Sequence, residues 1–437
     1  MLAVYYELAF TALLASFAAA LPQYNAGHTD RQSPTSQAGY YVSLGPRPYF
    51  LINNMTKSPL KDKLQSCENG PFSISDFSIG HRGGGTLQFP EETVESTMAG
   101  ARMGAGILEC DVSFTKDRGL VCRHSLCDLH TTTNILLKPG LAAKCTVPFT
   151  PANGTRPATA LCCTSDITIA EYMSLCGKMD GFNASAKTPK DYQYGTPTWR
   201  TELYDTCGTV MSLDSYITTV ESLPGYRNFT PELKTPPAEV PMPFNGYTQK
   251  QYARDMIETF IRRGIDADRV WVQSFNPPDI FQWLVEYPRF GKHAIYLDAS
   301  GDDAANYTAA VARLPSLAAQ GVNIISPPMN YLLTVGGPKN DTIVPSRYAM
   351  GAKAAGLDII AWTFERSGPL AAVAAGKDYY YTSIASATKA DGQMYEILDV
   401  LGRQVGIKAI FSDWSSTVTY YANCFGLQGP VATDYKP

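Results

Sequence analysis

Nine short apolar segments spread over residues 76–413, mostly separated by amphipathic stretches, constrain this fold more than any other feature. They are 76–81 (DFSIGH), 106–112 (GILECDV), 119–124 (GLVCRH), 229–234 (FTPELK), 270–275 (VWVQSF), 293–298 (HAIYLD), 321–326 (GVNIIS), 358–363 (DIIAWT) and 409–413 (AIFSD). Each reads as a strand, and stretches such as 249–263 and 391–401 read as helices. Alternating strand and helix implies an α/β fold with a parallel sheet wrapped by helices. One link breaks the pattern. Only 113–118 (SFTKDR) separates the second segment from the third, whereas parallel neighbours need a crossover of about a dozen residues or more. The third segment is therefore the return arm of a hairpin, and eight parallel strands remain. The expectation is a TIM (β/α)8 barrel with an extra hairpin strand, spanning 74–437.

The stretch from Leu126 to about Val210 fits neither period. It holds Cys127, Cys145, Cys162, Cys163, Cys176 and Cys207, and reads as a disulfide-stapled insertion (about 126–210) at the C-terminal mouth. No Cys-x-x-Cys pair is present, which argues against zinc. Residues 21–73, rich in Ser, Pro, Gly, Asn and Gln, read as a poorly ordered leader. Residues 1–20 read as a signal peptide, since LAFTALLASFAAA is apolar and ends in small residues. A membrane anchor is the alternative, but this run is shorter than the ~20 residues a span needs. Ten cysteines and six Asn-x-Ser/Thr sites, at Asn54, Asn153, Asn183, Asn228, Asn306 and Asn340, fit a secreted, glycosylated, oxidised protein. The net charge of −4 gives no nucleic-acid surface. No stable membrane insertion is expected, and the oligomeric state stays open.

The chemistry concentrates in residues 78–124. Side chains alternate along a strand, so Glu109 and Asp111 share one side and Cys110 points to the other. Both carboxylates lie near the C-terminal end of their strand, where barrel active sites sit. Two adjacent carboxylates repel unless a proton or a cation holds them, and hard oxygen ligands suit Mg²⁺ or Ca²⁺. His81 and Arg82 close the first strand at the same mouth, and His124 returns there on the hairpin. Glu232 and Lys234 alternate on a third strand and could simply pair with each other.

These segments together resemble the glycerophosphodiester phosphodiesterases. The motifs are His-Arg-Gly at 81–83, Pro-Glu-x-Thr at 90–93, Glu-x-Asp-Val at 109–112, a Thr-x-Asp turn at 115–117 and the strand-ending His124. FTPELKTP, WVQSFNPPDI, IIAWTFE and VGIKAIFSDWSS continue the resemblance in family order over roughly 76–424, in a layout closer to the larger periplasmic-type enzymes. The resemblance implies a barrel enzyme that uses one divalent cation to hydrolyse small-molecule glycerophosphodiesters to glycerol 3-phosphate and an alcohol. It implies His81 and His124 as the acid–base pair, Glu109, Asp111 and Glu232 as cation ligands, and Arg82 and Lys234 on the phosphate. The chain departs from the family twice, with Ser125 where Asp follows the second histidine and Glu92 where Asn is usual.

Other readings attach to single residues. Trp362 walls the substrate site or sits in the core. Asp413 orients a site residue or, as favoured here, caps the last helix. Glu91 serves the start of a 91–103 helix, where negative charge is stabilising. His130 and His293 are structural. Cys110, facing the helical layer, reads as a buried free thiol, which leaves Cys122 unpaired as well. Two other functions remain: a sphingomyelinase D or phospholipase D-type lipid phosphodiesterase, and a catalytically inactive surface binding barrel.

Overall fold

The structure is a computed structural model and describes residues 42–376 and 378–430. Residues 1–20, expected to be a signal peptide, residues 21–41 of the expected leader and the last seven residues lie outside the described residues. Nine strands form the main sheet: β1 (Ser75–Gly80), β2 (Ala105–Phe114), β3 (Leu120–Cys122), β4 (Asn228–Leu233), β5 (Gln273–Ser274), β6 (Ile295–Leu297), β7 (Ile324–Ser326), β8 (Asp358–Phe364) and β9 (Ala409–Ser412). Each coincides with a segment read from sequence. Parallel pairing runs β1-β9-β8-β7-β6-β5-β4-β2 and closes through β1 with β2. β3 lies outside this ring, antiparallel to β2, with Val112 opposite Cys122. The short 113–118 link forces that hairpin, as anticipated.

The lower barrel is plugged by inward side chains that include Ile79, Ile107, Trp271, Ile295, Ile324 and Phe411. Their strand neighbours face outward against the helices. In helix Gln249–Arg262, Thr248 Oγ1 accepts the Gln251 N–H while the Gln251 side chain accepts the Thr248 N–H. This reciprocal cap satisfies two otherwise orphaned donors and stabilises the helix by about 1 kcal/mol. Tyr252, Met256, Ile257 and Phe260, at helical spacing, bury its inner face.

Three expectations need correction. First, residues 42–73 are not a loose leader. They carry helices Arg47–Asn54 and Pro59–Gln65, bury Leu51 and Leu64 completely, and are tied to the last helix by the Cys67–Cys424 disulfide. The Pro- and Ser-rich composition masked five apolar residues, Leu44, Leu51, Ile52, Met55 and Leu64, that seat this segment on the barrel. Second, Cys110 and Cys122 are not free thiols. Hairpin pairing brings their Cα atoms to 5.2 Å and they form a disulfide. Third, Asn228 is a barrel-strand residue, 4% exposed, whose Nδ2 donates to Asp76. It is closed to glycosylation, whereas Asn54, Asn153, Asn306 and Asn340 are exposed and Asn183 is partly so.

The insertion is stapled by Cys127–Cys163, Cys145–Cys162 and Cys176–Cys207, as its cysteine density implied. It has a small core of its own around Ile135, Leu136, Ile167, Tyr172 and Tyr192. Within it, residues 166–178 contain a single α-helical turn, Ile169–Tyr172.

Candidate active site

Parallel register builds the site. Asp111 on β2 stands beside Glu232 on β4, and Glu232 beside Gln273 on β5. Inward alternation adds Glu109 one step below. Carboxylate oxygens of Glu109, Asp111 and Glu232 all lie within 4.8 Å of one another, and all three residues are buried. Gln273 Nε2 donates to Glu109 at 2.7 Å, and the Arg82 backbone N–H donates to the other Glu109 oxygen at 2.7 Å. Lys234 Nζ lies 2.5 Å from Glu232 and 3.5 Å from Asp111.

The electrostatics are those of crowded acids. Burial and the neighbouring Asp111 and Glu232 hold the Glu109 carboxyl well above the usual range. Burial, opposed by Lys234 and reinforced by Asp111, pushes Glu232 up to about 7. Asp111 stays low despite burial because Lys234, His124 and Arg82 surround it. Both Asp111 carboxylate oxygens are buried without a hydrogen bond. Orphaned hard oxygens among repelling carboxylates fit a divalent cation held by Glu109, Asp111 and Glu232. Glu92, Cys110 and Cys122 also converge, but their thiols are consumed in a disulfide, so they offer no second site.

The His-Arg-Gly turn positions the next layer. Arg82 has φ 50°, Gly83 104° and Gly84 91°. A Cβ at Gly84 would stand 2.4 Å from Ser415 Oγ, so only glycine lets the turn close on the last helix. His81 Nδ1 lies 2.5 Å from Asp413 Oδ1, leaving Nε2 on the side of the acidic cluster, 3.9 Å from Glu109. Burial lowers the His81 pKa to about 4, Asp413 opposes this, and Arg82 and Arg366 reinforce it. His124 is also held low, by burial, Arg82 and Lys234, with Asp111 opposing. Ser125, in place of an Asp, turns away: its N–H donates to Asp128 and its Oγ accepts from Cys127. Glu92, in place of an Asn, adopts φ 60° and accepts the Asp111 N–H at 3.3 Å.

His81, Arg82, Glu109, His124, Glu232, Lys234 and Trp362 line one cavity of about 70 Å³ with Gln273, Phe275, Thr363 and Tyr380. Trp362 belongs to the wall, edge-on to Phe275, with its indole N–H donating to Ser326 O. Glu91 does not serve a helix start. That helix begins at Val94 behind the Thr93 cap, and Glu91 is buried against Arg82 and Arg366. Although burial opposes it, these arginines hold its carboxyl near 2. Asp413 likewise caps nothing. Fully buried, it accepts from His81 through Oδ1 and from Arg200 (2.7 Å) and Arg366 (2.9 Å) through Oδ2. Gln273, Arg200 and Arg366 escaped the sequence reading. Only Gln273 carried a signal, as a polar residue on the inward face of an apolar strand.

Residues 81–415 match the glycerophosphoryl diester phosphodiesterase family. The chain is 45% identical over 251 residues to an Arthroderma benhamiae protein named "Extracellular protein", covering 57% of this chain and all of that one. Among solved structures, a putative glycerophosphoryl diester phosphodiesterase from Silicibacter pomeroyi aligns with TM-score 0.50 at 17% identity, over 84% of this chain and 98% of that one, and shares the fold. A phosphodiesterase from Oleispira antarctica, solved with the product sn-glycerol-3-phosphate, aligns with TM-score 0.46 at 16% identity, over 79% and 96%. With the barrel closed as above and the family's motifs gathered at its mouth, the chain belongs to the glycerophosphoryl diester phosphodiesterase family.

Proposed function

We propose that this protein hydrolyses small glycerophosphodiesters to glycerol 3-phosphate and an alcohol, dependent on one Mg²⁺ or Ca²⁺ ion and on His81 and His124 as proton carriers. The observation that carries this reading is the convergence of two buried carboxylates, two cations and two imidazoles on one cavity, with the Asp111 carboxylate buried within 4.8 Å of both acids. When bound, the divalent cation supplies charge neutralisation at the phosphate. Glu109, Asp111 and Glu232 hold it, and Arg82 and Lys234 clamp the remaining phosphate oxygens. His81 is kept neutral by burial, and Asp413 holds its Nδ1 proton. Its Nε2 lone pair is then free to take a proton from the neighbouring glycerol hydroxyl, which attacks phosphorus to form a cyclic phosphate that water opens. His124 has no carboxylate bonded to its ring among the described residues. The arriving phosphate anion provides the negative charge that lets it carry a proton to the leaving alcohol.

Secretion is part of the same proposal. It is supported by five disulfides and by the name of the Arthroderma relative. No helix among the described residues is long and apolar enough to cross a membrane. The test is a product assay on the purified protein with glycerophosphocholine, glycerophosphoinositol and lysophosphatidylcholine, with and without EDTA. EDTA-sensitive release of glycerol 3-phosphate from the deacylated diesters is expected. Cleavage confined to the lipid would instead support the phospholipase reading, and no cleavage at all the inactive barrel.

A further inference from the structure

The Asp413 carboxylate that holds His81 is itself held from outside the barrel. Arg200 lies in the insertion, inside the loop closed by Cys176–Cys207, and its guanidinium, 5% exposed, donates to Asp413 Oδ2 at 2.7 Å. The other arginine on this oxygen, Arg366, comes from the barrel and is shared with Glu91. Arg200 is not shared. Asp413 is the one carboxylate with which it pairs among the described residues, and its Nε is buried without a hydrogen bond. A side chain that pairs with a single carboxylate while its Nε stays buried and unbonded is placed for that contact.

The loop is built to make it. The N–H of Thr201 donates to Leu87 O in the loop after the His-Arg-Gly turn. Tyr204 stacks on Phe89 of that same loop, with ring centroids 5.0 Å apart. On the other side, Trp199 lies so close to Gly368 that a Cβ there would stand 3.0 Å from its ring. Arg200 is thus clasped between the two loops that carry its neighbours. Neither Arg200 nor Asp413 lines the cavity, so neither touches substrate there.

We infer that Arg200 is a positioning residue for the reaction: through Oδ2 it fixes the plane of the Asp413 carboxylate, which aims Oδ1 at His81 Nδ1. A carboxylate turns freely about its Cβ–Cγ bond. Such a turn would carry both oxygens off their partners, and two donors arriving on Oδ2 from different elements resist it more stiffly than one. The insertion would then complete the catalytic barrel and not merely cover it. The inference rests on the proposed role of His81, and its test separates the two.

Arg200→Met and Arg200→Gln, both uncharged, would be compared with Arg200→Lys for kcat and KM on glycerophosphocholine. The low-field proton signal of the His81–Asp413 hydrogen bond would be recorded in each protein without substrate. Loss of a residue that orients a catalytic group costs about 10- to 100-fold in activity. That loss is expected in kcat for Met and Gln, with KM nearly unchanged, and Lys should recover most of it. The low-field signal should broaden or vanish in Met and Gln and return in Lys. Unchanged kcat, or a rise confined to KM, in a folded Met or Gln variant would overturn the inference, as would an unaltered proton signal. A wild-type protein inactive on every diester would overturn the proposed function instead, while the proton signal would still decide the role of Arg200.

Discussion

Replacing Asp413 by Asn changes one atom and tests how the site generates a base. Asp413 accepts three charge-assisted or imidazole hydrogen bonds while fully buried. An Asn has one acceptor and one donor end. Two guanidiniums converge on the Oδ2 side, so the amide oxygen must face them and the NH₂ must face His81. Against a donor, His81 Nδ1 can only accept, and the proton moves to Nε2, the atom that takes a proton from the substrate in the proposed mechanism. A wrong tautomer of this kind costs about 10²- to 10⁴-fold in rate, or about 3–5 kcal/mol of barrier. The variant also leaves Arg200 and Arg366 facing a neutral group, and breaking a buried ion pair costs about 3–5 kcal/mol of stability. The expected result is a folded protein with a lowered melting temperature, a kcat down at least a hundredfold and a KM altered far less. Imidazole ¹⁵N shifts should report protonation moved to Nε2. A folded Asp413→Asn variant with kcat within threefold of wild type would refute the tautomer argument.

Three further outcomes are expected. Glu232→Gln should weaken Mg²⁺ or Ca²⁺ binding, read by calorimetry, and remove most activity while leaving the circular dichroism intact. A wild-type affinity in that variant would remove Glu232 from the ligand set. Asp76 lies beneath the barrel, half-buried, with its carboxyl pushed up to about 6 by burial against the opposing pull of Arg227 and Asn228. The folded state therefore holds this proton more tightly than the unfolded state, whose carboxyl titrates near 3.9. This contribution is fully present below that value and is lost as pH rises toward 6, by less than about 3 kcal/mol because solvent screens the group. Asp76→Asn should flatten that part of the stability–pH curve measured by urea unfolding, and an unchanged slope would discount the group. Finally, glycan mapping of the protein expressed through a eukaryotic secretory route should find Asn228 unmodified, because its amide is buried against Asp76, and a glycan there would contradict the register of β4.

The site was legible where chemistry follows strand alternation, and illegible where it depends on distant segments meeting. Glu109, Asp111 and Glu232 could be placed on inward faces at strand ends because period two fixes side-chain direction from sequence alone. The hairpin was legible because six residues cannot span a parallel crossover. Cys110 and Cys122 were misread because outward direction was known and pairing register was not, and a disulfide depends on register. For Glu91 a place at a helix start, and for Asp413 the favoured helix cap, are local roles common for acids, since nothing local announces an arginine 213 residues away in sequence, as Arg200 is from Asp413.

The sequence by itself determined the order of strands and helices, the parallel barrel, the family motifs and the faces that carry the acids, because these follow from periodicity and from links of fixed reach. Tertiary structure alone decided that Asp413 holds His81, that Arg200 enters from the insertion, that Asn228 is buried and that residues 42–73 belong to the domain. Each of these is a contact between segments far apart in the chain. Its energy depends on burial and geometry that exist only once the barrel has closed.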